Sequence, residues 1–229
     1  MKTSSISVQA DALKKLSGIA SLDILVNPTA ITGNVDFMEG IVRYETIPFD
    51  LTMLEGMILI DEKNINLVGF MGDVGEKNKF TCNLVVYNYL DPDFYFFCFF
   101  FSDLDPSELA VSVNPELKNL IISNGIIPTQ INFDAALPLI NLNVVSILDE
   151  MLQLEFPGYL KKPIGKNYTI IGDVDFDSSN LNLILNKLNI KADKLSVTTM
   201  GSIKNLNSKE PEVMLFFNSD VPCGLFMII

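Results

Sequence analysis

The stretch Ile31-Thr32-Gly33-Asn34-Val35-Asp36-Phe37 decides the fold, because it alternates and because a near copy, Ile170-Ile171-Gly172-Asp173-Val174-Asp175-Phe176, returns later in the chain. Ile31, Gly33, Val35 and Phe37 fall on one side of an extended strand and Thr32, Asn34 and Asp36 on the other, the period-2 pattern of a half-buried strand. The second copy keeps the phase, with Asp173 and Asp175 facing out. Two further blocks follow in the same order. Ile58, Ile60, Ile65 and Leu67 share their spacing with Leu188, Ile190, Leu195 and Val197, and Phe99-Phe100-Phe101-Ser102-Asp103 corresponds to Phe216-Phe217-Asn218-Ser219-Asp220. Together they predict an internal duplication of a β-meander, with repeats at about 20–104 and 160–221.

Between and around these blocks the strand signals continue. The spacing predicts strands over 30–37 and 41–46 joined by a turn at Glu39-Gly40, then a hairpin whose polar connection is Asp61-Glu62-Lys63-Asn64. Residues 80–87 alternate. The run Phe94-Tyr95-Phe96-Phe97-Cys98-Phe99-Phe100-Phe101 is too short to span a bilayer as a helix, which takes roughly 20 residues, and reads as a strand covered on both faces at the centre of the core. The connecting segment 105–159 differs in character: Pro106-Ser107-Glu108-Leu109 and Pro115-Glu116-Leu117 each look like a helical turn with proline first. Val144, Val145, Leu148, Met151 and Leu152 recur at helical spacing behind a capping Asn143, which predicts a helix over 144–153. At 180–190 helical and strand spacing compete, and the duplication argues for strand.

Composition bounds the chemistry. In 229 residues, 48% are hydrophobic and only 19% charged, which implies a large buried surface and excludes disorder. A net charge of −12 with a single arginine, Arg43, argues against nucleic acid, whose phosphates require clustered Lys and Arg. With no histidine, Ser-His-Asp and Cys-His nucleophiles and imidazole bases are absent. Cys82, Cys98 and Cys223 lack CxxC spacing and read as buried thiols. There is no phosphate-binding glycine loop and no transmembrane segment, and no cofactor is expected. The N-terminus lacks the apolar core of a secretory signal, so a cytoplasmic location is expected.

Three constellations remain. Asp173, Asp175 and Asp177 have the D-x-D-x-D spacing of a calcium loop, although Ser178 stands where the turn glycine belongs and Ile184 where a bidentate Glu should be. Arg43 and Tyr44, in an apolar hairpin, could meet an anionic group if turned inward. Tyr95, Phe97 and Phe99 on the Phe-rich strand are candidates to line a hydrophobic ligand site.

The expected fold is therefore mainly β: an antiparallel sandwich or barrel built from two duplicated meanders, with one or two short helices, in a single domain spanning 1–229. The expected function is a non-catalytic module binding a hydrophobic small molecule, a lipid or a partner surface. Two alternatives stand beside it. One is a histidine-free enzyme of cyclase or isomerase type using a buried Asp as acid or base. The other is a structural or assembly subunit, whose partner would be another protein or, as a homo-oligomer, a second copy of the chain.

Overall fold

The computed structural model describes residues 3–7, 13–27, 30–44, 51–75, 78–91, 93–108, 122–136, 138–156, 160–193, 195–206 and 212–220. The strands are β1 (Thr3–Ser7), β2 (Leu13–Asn27), β3 (Ala30–Tyr44), β4 (Leu51–Ile60), β5 (Asn64–Val74), β6 (Asn78–Tyr87) and β7 (Tyr95–Leu104), followed by β8 (Ile122–Ser123), β9 (Ile127–Ala136) and β10 (Leu139–Leu148). Then come β11 (Leu154–Phe156), β12 (Leu160–Lys162), β13 (Tyr168–Asp177), β14 (Asn182–Ala192), β15 (Leu195–Lys204) and β16 (Glu212–Ser219). Thirteen of them form one antiparallel sheet in the order β1-β2-β3-β4-β5-β6-β7-β9-β10-β13-β14-β15-β16, and β12-β11-β8 form a small second sheet. Among the described residues β1 and β16 pair on one side only, so the large sheet is open and is not closed into a barrel. A short helical turn at Pro106, Ser107 and Glu108 stands where proline predicts it, capped by Asp105, whose carboxylate accepts from the Ser107 backbone N–H at 2.9 Å. The second proline-led turn, at 115–117, lies outside the described residues.

The 144–153 helix is corrected to strand. Leu139–Leu148 is β10, paired with β9 on one side and β13 on the other, and the β-branched Val144, Val145 and Ile147 suit that pleated setting. Asn143 caps nothing and donates to Asn141 Oδ1. Met151 and Leu152 belong to the turn after the strand, where Asp149 accepts from both of their backbone N–H groups at 2.8 and 2.9 Å. The segment at 180–190 is strand β14, as the duplication argued.

The hairpin expected at Glu39-Gly40 is likewise one continuous strand. β3 carries a bulge between Phe37 and Gly40, β4 one between Thr52 and Glu55, and β5 one between Leu67 and Phe70. Their extra residues, Glu39, Met53 and Gly69, have φ of 52°, 51° and 59°. Three adjacent strands thus shift side-chain phase together, and the bulges bend and twist the sheet at one level.

Side chains packed at that level form the core. Ala20, Phe37, Leu54, Val74 and Phe80 are buried, with Val35, Val42, Leu51, Phe70, Cys82 and Phe100 against them. Phe37 and Phe70 stack with centroids 6.2 Å apart across Gly56, where a Cβ would meet Phe70 at 2.7 Å, so glycine is what admits the ring pair. The centre of the core is therefore β2 to β6 and not the Phe-rich strand, whose Phe97 and Phe101 are each 38% exposed. The paired sequence blocks that open the expected repeats fall on β3 to β5 and on β13 to β15, in the same strand order. Their registers differ: Val35 faces Ile58, whereas Val174 faces Leu185 and not Leu188. The third block lies on β7 and β16, which stand two strands and one strand further on.

Leu54→Ala should cost about 2–4 kcal/mol, because the site is enclosed and cannot collapse around the lost atoms. Met57→Ala, at a site 38% exposed, should cost under about 1 kcal/mol. Urea denaturation monitored by circular dichroism measures both, and a loss at Leu54 no larger than at Met57 would show that the bulge level is not the core.

Candidate ligand face

Residues directly opposite each other in an antiparallel ladder share a face, so the register can be followed across the sheet. Leu22 faces Val35, which faces Ile58, then Leu67, Leu84 and Cys98. The same row continues through Phe133, Leu142, Val174, Leu185 and Gly201 to Leu215 on β16. Every side chain in it is apolar. A neighbouring row, from Ile60 and Ile65 through Val86, Phe96, Ala135 and Ile140 to Phe176, Leu183, Ile203 and Val213, is apolar as well. Toward one end the face changes to small hydroxyls that satisfy themselves: Thr129 and Ser146 share a 2.9 Å hydrogen bond, and Ser102 donates to the Lys79 carbonyl at 2.7 Å.

Outside the bulge level no described residue covers this face. Leu84, Phe133, Leu142, Val174 and Leu185 are only half-buried, unlike Leu54 and Phe80. The chain exposes 14742 Å², where a compact monomer of its 25.4 kDa would expose about 10,300 Å².

The opposite face is polar at its centre. Asn141 Nδ2 donates to Asp173 at 3.1 Å and Asp175 at 2.8 Å, and Asn186 Nδ2 donates to Asp175 at 2.7 Å. Those amide donors, Asn141 first, hold the Asp175 carboxyl below the usual carboxylate range. The geometry also separates the three calcium candidates. Asp177 turns into its own loop, accepting from the Ser179 and Asn180 backbones and from Asn180 Nδ2, so the three acids do not converge. Among the described residues no group of three or more acidic or thiol side chains is placed to hold a metal ion. On the same face, the bulges leave a cleft of about 550 Å³ lined by Met38, Met53, Met71 and Phe101, with Glu55 and Asp73 among its acids.

The other candidates separate. Arg43 is exposed and stands opposite Lys15 on β2, because β3 runs on through Glu39-Gly40 in place of the expected turn. The Tyr44 side chain lies outside the described residues. Tyr95, Phe97 and Phe99 face away from the row above. Phe97 is opposite Asp134 and Phe99 opposite Asn132, and a hydrogen bond to Asp134 raises the Tyr95 hydroxyl pKa. Phe96, Cys98 and Phe100 take the apolar side instead. In an unbroken apolar run alternation carries no sign of face, and the charged Asp103, in phase with Phe97, Phe99 and Phe101, is the cue the sequence offers to their side.

In the small sheet, Lys162 is fully buried. Its ammonium donates to the Leu152 carbonyl at 2.5 Å and lies 5.7 Å from the Tyr168 ring centroid. Burial lowers its pKa and Asp149 partly restores it. No helix among the described residues is long and apolar enough to cross a membrane. Comparison with protein-family models, curated proteins and solved structures found no match.

Because the folded-state pKa of Asp175 lies below its ordinary 3.8, the network contributes stability above that pH and loses it as pH falls through the folded value. Melting temperature followed from pH 6 downward should drop below about pH 4. Asn141→Ala should flatten part of that drop, and an unchanged acid limb would show that the amide does not hold the carboxylate.

Proposed function

We propose that the chain is a non-catalytic module that holds a lipid-like molecule, one with long hydrocarbon chains, along the apolar face of its large sheet. The observation that carries this reading is the apolar row from Leu22 to Leu215, exposed at its two ends and half-buried between them, with no covering layer among the described residues. At about 4.8 Å per strand the row runs on the order of 50 Å, an elongated shape suited to acyl chains. An irregular peptide segment would bring backbone N–H and C=O groups that need hydrogen bonds, and the middle of this face offers none. A hydrocarbon makes no such demand, and covering the face with one removes apolar surface from water at about 25 cal/mol per Å².

The charge pattern supports the same direction. Polar and acidic groups gather on the other face and are tied to one another, which leaves the apolar side free of ionised side chains along the row. Against an acid–base enzyme, the shifted aspartates Asp61, Asp175 and Asp177 are all lowered, the opposite of what a desolvated proton donor requires.

Native mass spectrometry after incubation with a phospholipid carrying 16- or 18-carbon acyl chains should find lipid bound. Leu142→Gln and Leu185→Gln should each weaken retention several-fold, and together should abolish it, while Asn83→Gln on the opposite face should leave it unchanged. Lipid bound equally by all variants, or a dimer forming in its place, would overturn the reading.

A further inference from the structure

Cys82 on β6 and Cys98 on β7 both point to the apolar face as diagonal neighbours: Cys82 stands opposite Phe100, and Cys98 opposite Leu84. Their Sγ atoms are 3.2 Å apart and both thiols are half-buried. A disulfide is about 2.05 Å long, so closure requires the sulfurs to approach by about 1.2 Å. Diagonal neighbours on adjacent strands hold their Cα atoms roughly 7–8 Å apart, beyond the ~6.8 Å that a disulfide usually spans, so closure needs the backbone to move. A bridge here would draw β6 and β7 together and store strain, and strained bridges are the readily reduced ones.

The two sulfurs are also unequal. The two thiols share a hydrogen bond that either can donate; with Cys82 as the donor it brings Cys98 below the ordinary thiol value and pushes Cys82 above it. One sulfur is thus suited to attack as thiolate while its neighbour keeps its proton until the second step.

We propose that Cys82 and Cys98 are a reversible dithiol–disulfide site whose co-reactant is a small-molecule disulfide, RSSR. The Cys98 thiolate attacks one sulfur of RSSR, forming a Cys98–S–S–R bond and releasing RS⁻. RS⁻ takes the Cys82 proton and leaves as RSH. The Cys82 thiolate then attacks the Cys98 sulfur, breaking its S–S bond to the SR group and expelling a second RS⁻, which takes up the proton that Cys98 gave to solvent on ionising. Two protein thiols lose two electrons, and one external disulfide gains them to become two thiols. The pair lies within the apolar face but needs no ligand there, so its test is independent of lipid binding.

The test incubates the folded protein, and a Cys223→Ser variant that leaves this pair as the only cysteines, with oxidised glutathione, followed by alkylation and peptide mass mapping. Expected is a loss of two hydrogens with the peptides carrying positions 82 and 98 linked, reversed by reduced glutathione. In Cys82→Ser a glutathione adduct on Cys98 should persist, since nothing resolves it. Protein that remains fully alkylatable, adducts that accumulate without a link, or a link made only to position 223 would each overturn the proposal.

Discussion

The constraint on which this structure depends is the two-fold alternation of the pleat, carried in register from strand to strand. A one-residue slip in any strand would send its apolar set to the other face. The chain meets that constraint even where alternation is interrupted. In β3, β4 and β5 the apolar-face positions are separated by two residues instead of one, at Phe37 and Gly40, Leu51 and Leu54, and Leu67 and Phe70, and a bulge sits in each gap. Because the three strands shift phase at one level, the face stays continuous and Phe37, Leu54 and Phe80 can pack together. Glu39 and Met53 are held in a left-handed conformation that costs of order 1 kcal/mol each.

The same bulges explain what was legible in the sequence and what was not. Regular alternation and a polar connection identify the β4–β5 hairpin, with Asp61 closing its turn by accepting from the Lys63 and Asn64 backbones at 2.8 and 2.7 Å. The two glycine-containing blocks fall on β3 and β13 as read. A bulge, however, places apolar residues three apart, which is also helical spacing. Leu185 and Leu188 flank such a bulge in β14, and this is why that segment looked equally like helix. Glu39-Gly40 imitates a turn because a left-handed bulge and a tight reversal use the same residues. The error at 144–153 has another source: valines on both faces of β10 merged with Met151 and Leu152 of the following turn into a false helical stripe.

The candidate site was legible as a composition and not as a place. An excess of apolar residues over charges implies surface left uncovered, but which side of the Phe-rich strand meets it depends on register, and register is a property of pairs of strands. Tyr95, Phe97 and Phe99 lie on the face opposite the apolar row, which the unpaired strand could not show, and the approach of Cys82 to Cys98 was invisible from their separate positions. The acids illustrate the converse. Asp173 and Asp175 look like cation ligands in a list, but in the sheet they face Asn141 and Asn186, whose amides supply the hydrogen bonds that a cation would otherwise replace.

Strand order bears on how such a chain comes into being. In the large sheet each strand lies beside the one before it in sequence, and only the steps from β7 to β9 and from β10 to β13 skip over short elements of the small sheet. A polypeptide emerging from the ribosome would find its docking edge already laid down by the segment made moments earlier. The fold could therefore grow in the direction of synthesis, without waiting for a distant partner to arrive.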